Sequence, residues 1–475
     1  MESCVKDMLE RKGYAVNANA QSIIKAADGW YRNSELAFHK RTTAQGKHFT
    51  MRRLGFAKRC CSDDANLCEV IEINAGGDTK EIEEQAAARK TQDETVNQIL
   101  RANRFNTQYR RQLEQTSAHG TVACYVRMDD VKFMDDNSVK DGKIRLNYVT
   151  ADCFIPLTTD NDVVTEAAFS GSILHNGEKI TTLVMFTLDG TGRYIAETHT
   201  FDKSGNELKD REQVVQLGDV KPFGVMKIAE VNNLEDMEGY GYPKIYGAIP
   251  ILETLDLCFN VLFGDLDKAD KLILINEALC KFDENGKPIT PSEQMKKIFI
   301  MLGQRLPEDK ALVQEYNPKI RIEEITKTFE LALSLLSMMF GYGTKKYSFE
   351  NGQIITASQY IGERQDQMQE LNRQRQEAKE YISDICKAIM WFSNTYHGTA
   401  FDLDTEVLID FDDSFISDKE TQIQRRRDDA ATFDIPELLI WYLMEAYNLS
   451  EDEAKALVER QQDTKEQDAD GEEED

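Results

Sequence analysis

Read as apolar and polar positions, the chain changes its period as it proceeds. From Met1 to about Asp130 it reads as helical with breaks. Ser22 to Glu35 places Ile23, Ile24, Ala27, Trp30 and Tyr31 at helical spacing, and Asp78 to Ala102 does the same with Ile82, Ala86, Val96, Ile99 and Leu100. At Gly120 the period drops to two: Val122, Cys124 and Val126 alternate with Thr121, Ala123 and Tyr125, which predicts a half-buried strand. Residues 143 to 230 predict an antiparallel meander with strands at Ile144–Val149, Val163–Leu174, Lys179–Leu188 and Arg193–Phe201. The turns between them, His175-Asn176-Gly177, Asp189-Gly190-Thr191-Gly192 and Asp202-Lys203-Ser204-Gly205, hold the glycines that hairpin geometry asks for.

Beyond a connection at Asn232–Tyr242 the pattern becomes helical again. Pro243 opens a helix to about Leu272, on which Ile245, Ile249, Leu252, Leu255, Phe259, Leu262 and Leu266 form one apolar stripe. An insert, Ile273 to Ile320, predicts a turn at Asp283-Glu284-Asn285-Gly286, a short helix from Ser292 to Leu302 and a strand around Ala311 to Tyr316. A second apolar helix, Glu323 to Phe340, completes a hairpin, with Leu331 and Leu335 expected to meet the first stripe. Gly341 to Thr356 predicts a polar loop, given conformational freedom by Gly341, Gly343 and Gly352. The helix Ser358–Thr395 follows, over ~50 Å long at 1.5 Å per residue. It is polar until Ile382 and apolar at Ile385, Ile389 and Trp391. A strand at Val407–Phe411 and helices at Asp418–Thr432 and Pro436–Tyr447 come next. Ser450 and Glu453 then read as a capping box for a last helix to Gln461. The acidic tail Gln462–Asp475 has too little apolar surface to fold.

Composition narrows the partners. The 475 residues carry a net charge of −27, with 41% hydrophobic residues. A protein that grips a duplex presents a basic footprint, since lysine and arginine displace the counterions of the phosphates. Nucleic acid, if handled by this chain, is handled without being gripped. No stretch reads as the eighteen or so apolar residues of a membrane span, because the run Leu331–Phe340 is short and broken by Ser334 and Ser337. The first residues, Met1 to Lys12, lack the apolar core of a secretory signal.

Catalytic and metal chemistry find no foothold. The nine cysteines include the adjacent pair Cys60-Cys61 but no C-x-x-C, which predicts reduced thiols. His39, His48, His119, His175, His199 and His397 show no ligand spacing and are expected to be satisfied in place. Asp410-Phe411-Asp412-Asp413 lacks the glycine and glutamate of a calcium loop, with Phe415 and Thr421 in those places. Gly239-Tyr240-Gly241 and Gly341-Tyr342-Gly343 lack the third glycine of a dinucleotide loop. There is no phosphate-binding G-x-x-x-x-G-K-[ST] and no nucleophile elbow. No catalytic residue, cofactor or metal is expected. The run Arg425-Arg426-Arg427, followed by Asp428-Asp429, reads as a salt-bridged helical face.

The order of elements and several local stretches carry a resemblance. Val149-Thr150-Ala151-Asp152-Cys153-Phe154-Ile155-Pro156 followed by Phe169, Pro222-Phe223 followed by Asn232-Asn233, and Gly239 to Asp256 with its Leu255-Asp256 pair come first. Tyr316-Asn317-Pro318-Lys319-Ile320-Arg321, Thr356-Ala357-Ser358, and Ile409 to Gln424 followed by Leu449-Ser450 complete the set, in order over roughly residues 90 to 460. The chain resembles the portal proteins of tailed bacteriophages, of the type found in phages of Gram-positive bacteria.

The resemblance implies an α+β portal fold with the following parts. Residues 1–244 form a mixed α/β wing, 245–272 the first stem helix, 273–321 a small α/β clip, and 322–340 the second stem helix. Residues 341–357 form a tunnel loop, 358–415 the long wing helix and its strand, 416–461 an α-helical crown, and 462–475 a disordered tail. It further implies a ring of twelve copies at one capsid vertex, with double-stranded DNA as translocated cargo. The partners implied are the terminase large subunit, a head–tail adaptor protein, and the major capsid and scaffolding proteins, with assembly in the host cytoplasm and no membrane. Lys345, Lys346, Tyr347 and Asn351 of the tunnel loop would face the DNA; Leu252, Leu255, Phe259, Leu262, Leu331 and Leu335 would pack the stem. Two other classes stand beside this. A scaffold or head–tail adaptor built on a coiled coil needs strict heptads, which Ser358–Glu380 does not keep. A hydrolase using carboxylates of the β region needs a pocket of perturbed acids.

Overall fold

The computed structural model describes residues 2–42, 46–66, 68–77, 86–129, 132–133, 139–140, 142–175, 177–267, 272–276, 284, 299–302, 313–316, 319–343, 346–347, 357–411, 427–428, 436–447 and 454–458. They fall into two compact units, residues 1–68 with 73–409, and residues 69–72 with 410–475.

In the first unit the N-terminal helices are α1 (Ser3–Arg11), α2 (Ala18–Tyr31), α3 (Phe56–Ala65), α4 (Ala86–Ala102) and α5 (Phe105–His119). Helix α2 starts earlier than its apolar spacing suggests because Asn17 caps it, accepting hydrogen bonds from the amides of Asn19 and Ala20. The meander is a five-stranded antiparallel sheet in chain order, Phe154–Asp160, Val163–His175, Glu178–Leu188, Tyr194–Phe201 and Gln213–Gln216; the expected strand Ile144–Val149 is not part of it and pairs instead with Thr121–Asp129. Its first and last strands were not legible in the sequence, one being broken by Pro156 and register shifts, the other only four residues long. Helix α1 covers one face, with Val5, Met8 and Leu9 on Ile155, Leu183, Met185 and Phe201.

A three-stranded sheet places Thr121–Asp129 between Phe223–Lys227 and Lys143–Thr150. Aromatic rings join the two sheets: Tyr125 lies 4.8 Å from Phe169, and Phe223 lies 5.7 Å from Phe169 and 5.9 Å from Phe186. Thr121–Val126 is buried on both faces, unlike the half-buried strand its alternation predicts. Other elements cover its second face.

The hairpin consists of α6 (Lys244–Asp267) and α7 (Ile322–Met339). Helix α6 is described to Asp267, and at Leu272, its expected end, the chain is already in the strand Leu272–Asn276. That strand pairs in parallel with Phe299–Leu302 and antiparallel with Val313–Tyr316. The short helix expected over Ser292–Leu302 is therefore corrected at its end, where strand pairing overrides an apolar run whose period is ambiguous. Helix α6 also corrects the expectation about membranes: it is long and apolar enough to cross one by length and composition. Its inner face packs in the protein core.

Helix α8 (Ala357–Phe392) is ~54 Å long at 1.5 Å per residue. Its apolar end buries Tyr381, Ile382, Ile385 and Ile389. A side chain at Gly224 would meet the Tyr381 backbone oxygen at 2.8 Å, so glycine there permits the close approach of strand and helix. The strands Val70–Asn74 and Leu408–Phe411 pair in a two-stranded sheet. In the second unit α9 (Pro436–Tyr447) exposes Trp441 and Tyr447, and residues 454–458 are helical with Ala454 and Val458 buried. Most of the helix expected at Asp418–Thr432, the Ser450–Glu453 capping box and the acidic tail lie outside the described residues.

Candidate functional site

The α6–α7 hairpin forms because each helix carries an apolar stripe. Leu252 and Leu255 are buried with Ala332, Leu333 and Leu336, while Phe259 and Leu262 are half-buried further along α6. Leu331 and Leu335 do not share that core: they are 62% and 39% exposed. The reason is angular. Two residues along a helix turn by about 200°, so Leu331 and Leu335 lie away from Leu333 and Leu336. With Leu257, Phe263, Leu266 and Met338 they leave the hairpin an apolar outer surface.

A clamp on this hairpin had no signal in the spacing. His39 is 1% exposed, and its Nδ1 accepts the Leu36 amide at 3.2 Å. The proton therefore sits on Nε2, which donates to Asp256 Oδ2 at 3.1 Å. Asp256 Oδ1 accepts the Leu54 amide at 2.9 Å, and one turn on, Asn260 exchanges hydrogen bonds with the Arg52 backbone at 2.7 and 2.8 Å. The Arg52 guanidinium lies 3.5 Å from the Phe263 ring centroid. His39 and the stretch Arg52–Leu54 are thereby stitched along α6, and Asp256 of the Leu255-Asp256 pair is their anchor.

The loop after α7 is anchored at its root. Gly341 takes φ of 77°, ending the helix in the left-handed region, and the Tyr342 amide bonds the Ser337 carbonyl at 3.0 Å. Tyr342, 4% exposed, donates its hydroxyl to Asp64 Oδ1 at 2.5 Å. Tyr347 donates its hydroxyl to Asp63 Oδ2 at 3.2 Å, and its amide bonds Ser337 Oγ at 3.1 Å. Gly341 and Gly343 both take positive φ here, a conformation that glycine adopts without strain. Lys346 is exposed, its ammonium 5.4 Å from the Tyr342 ring centroid. Lys345 and Asn351 lie outside the described residues.

Behind the root lies a buried ammonium. Lys244, the first residue of α6, is 4% exposed and has Asp64 at 3.2 Å, Glu370 at 3.4 Å and Glu230 at 3.9 Å. Burial works against its charge, but Asp64, Glu370 and Glu230 more than compensate and hold its pKa above the ordinary lysine value. Burial raises the Glu230 carboxyl; Lys244 opposes that, and Glu370 and Asp64 reinforce it. A cavity of about 30 Å³ adjoins the group, lined by Asp64, Cys68, Lys244, Glu370 and Gln374 among others. The eight described cysteines are free thiols, and burial pushes Cys60 and Cys68 up to about 12, so neither is a ready nucleophile. Among the described residues no cluster of histidine, cysteine and carboxylate side chains suits a metal ion.

The described features are a clamped apolar hairpin carrying a small sheet, and a long helix buried at one end. The model of the family described as "Phage portal protein, SPP1 Gp6-like" matches residues 21–467. The chain belongs to that family. Among solved structures it is similar to a chain from "Neck of empty GTA particle computed with C6 symmetry", at 13% identity over 85% of this chain and 89% of that one, with a TM-score of 0.41. No curated protein matches. Members of the portal family are structural proteins of the bacteriophage virion, ring-forming at a capsid vertex and tied to genome packaging.

Proposed function

We propose that this chain is one of twelve subunits of a portal ring whose channel passes double-stranded DNA into and out of the capsid, and that it has no catalytic activity of its own. In this reading the parts are those set out from the sequence, with 1–244 and 358–415 as wing, 245–272 and 322–340 as stem, 273–321 as clip, 341–357 as tunnel loop and 416–461 as crown. The terminase large subunit and then the head–tail adaptor dock on the clip, the capsid and scaffolding proteins meet the wing, and assembly takes place in the host cytoplasm.

The observation that carries the reading is the outer surface of the stem. Leu331, Leu335, Leu257, Phe263, Leu266 and Met338 are exposed on two packed helices whose inner faces are already filled. An apolar surface of this kind calls for a neighbour, and in a ring-forming family the neighbour is another copy. The net charge of −27 also suits a channel, since a largely acidic wall does not trap a moving duplex. Lys345, Lys346, Tyr347 and Asn351 are the residues proposed to face the DNA.

Electron microscopy of the purified protein tests this, with rings around a central channel expected. The variant Leu331→Asp with Leu335→Asp is expected to keep the subunit's fold, within about 0.5 kcal/mol for exposed sites, and to abolish rings. Rings of this double variant indistinguishable from wild type would remove the basis for the reading.

A further inference from the structure

Several segments of the first unit converge on the Lys244 ammonium. Asp64 comes from α3, Glu230 from the connection before the stem, Lys244 from the start of α6, and Glu370 from α8. Tyr342 joins them from beyond α7 through Asp64. The register of α8 makes the meeting specific. One turn after Glu370, Gln374 accepts the Ala229 amide at 3.0 Å and donates to the Lys227 carbonyl at 2.9 Å. That pair of bonds sets Glu230 beside Glu370.

The charges around Lys244 do not balance. Three carboxylates face one ammonium in a site where Lys244 is 4% exposed. Asp64 is fully engaged: Tyr342 donates to Oδ1, while Ser117 at 2.6 Å and Lys244 at 3.2 Å serve Oδ2. Glu370 Oε1 is buried and has only the 3.4 Å ion pair, with no hydrogen-bond donor among the described residues. Glu230 and Glu370 approach the same ammonium, at 3.9 and 3.4 Å, which brings the two carboxyl groups to one place. Two like charges so placed repel, and a single proton shared between them both removes the repulsion and supplies Glu370 with a donor.

We propose that Glu230 retains a proton and donates it to Glu370, and that this carboxyl–carboxylate bond is a pH-sensitive latch joining the stem to the long helix and the loop root. The other groups facing the latch are accounted for. Tyr242 and Tyr342 are phenols whose burial, with Glu230 and Asp64 respectively nearby, raises them, so they stay neutral. Cys68 is a buried thiol pushed up to about 12, and Arg375 on α8 supplies positive charge near it. Lys244 remains charged throughout. Glu230 is therefore the group whose proton is free to come and go.

The direction follows from the raised Glu230 carboxyl. A carboxyl that holds its proton more tightly when folded contributes stability that is complete below its unfolded value of 4.5 and is lost as pH rises through the folded value. The latch is closed in acid and loosens toward alkaline pH. This inference concerns a single chain and stands apart from the reading of the ring.

Amide hydrogen exchange of the full-length protein, corrected for intrinsic rates, tests it from about pH 5 to about pH 8. In the wild type, opening of the amides around Ala229–Ile245 and Ser337–Gly343 is expected to rise several-fold over that range. Glu230→Gln, whose amide donates to Glu370 at any pH, is expected to keep these amides protected throughout. Glu370→Gln removes the like charge and serves as an independent variant, with the same flat profile expected. Wild-type opening that does not change with pH, or a wild-type pH dependence persisting in either variant, would overturn the latch. Imaging the same samples for rings reports separately on the portal reading.

Discussion

At the scale of single residues, the chain uses buried acids to tie distant segments together. Asp256 is the clearest, since it accepts from His39 Nε2 and from the Leu54 amide while almost wholly buried. Asp256→Ala leaves both donors without partners, at about 1–3 kcal/mol for each buried group. A loss of about 2–4 kcal/mol in denaturant unfolding is expected, and a change below about 0.5 kcal/mol would show that the clamp on the stem is not formed. Glu2 acts the same way at the surface. Burial alone would raise its carboxyl, but hydrogen bonds from Lys179, Thr181 and Ser172 outweigh that and hold it at about 2, below its usual 4.5. The sign is the reverse of Glu230: the docking of α1 is supported above pH 4.5 and is lost as pH falls toward 2. Protection of the α1 amides in the wild type should fall over that interval, and Glu2→Gln should flatten the profile. A wild-type profile already flat would rule out Glu2 as the anchor.

At the scale of elements, the inner and outer faces of the α6–α7 hairpin give opposite expectations. Leu255 is 1% exposed, packed with Leu252 and Leu336. Leu255→Asp buries an unpaired carboxylate at a cost of several kcal/mol, so the subunit itself should lose stability and rings should fail. Leu331 and Leu335, on the outer face, should affect rings alone. If Leu255→Asp rings assemble normally, the inner stripe of α6 has been assigned wrongly. Elements with strong periods, α6, α7 and the meander, were legible in the sequence because one face of each is dry over many turns or strands, and α8 by its apolar end. Phe299–Leu302 was not, because four apolar residues fit either period until Leu272–Asn276 lies alongside them.

At the scale of the whole molecule, the proposed DNA contact is weak by design. Lys346 is exposed beside the Tyr342 ring, and exposed charges of this kind contribute about a kcal/mol or less and are screened by salt. A contact that must break repeatedly as DNA slides fits that scale. Lys345→Glu with Lys346→Glu is expected to leave ring assembly intact and to impair packaging or retention of DNA. Mutant particles that package a full genome at the wild-type rate, and keep it, would exclude this role. The anchored root sharpens the expectation, because Tyr342 and Tyr347 hold the turn to Asp64 and Asp63. Gly341 therefore determines the path of the chain as it leaves α7.

The sequence by itself determined the α+β class, the meander, the apolar hairpin and the long helix, because hydrophobic period and turn chemistry are local properties of the chain. Its motifs also pointed to the portal family to which the chain belongs. Only the tertiary structure decided which stem leucines face inward, that His39 pairs with Asp256, and that Asp64, Glu230 and Glu370 surround Lys244. These partners are separated by as many as 306 positions, from Asp64 to Glu370. No spacing rule links such residues. They meet because packed sheets and helices exclude water from one place, and there each charge must find a partner or a proton.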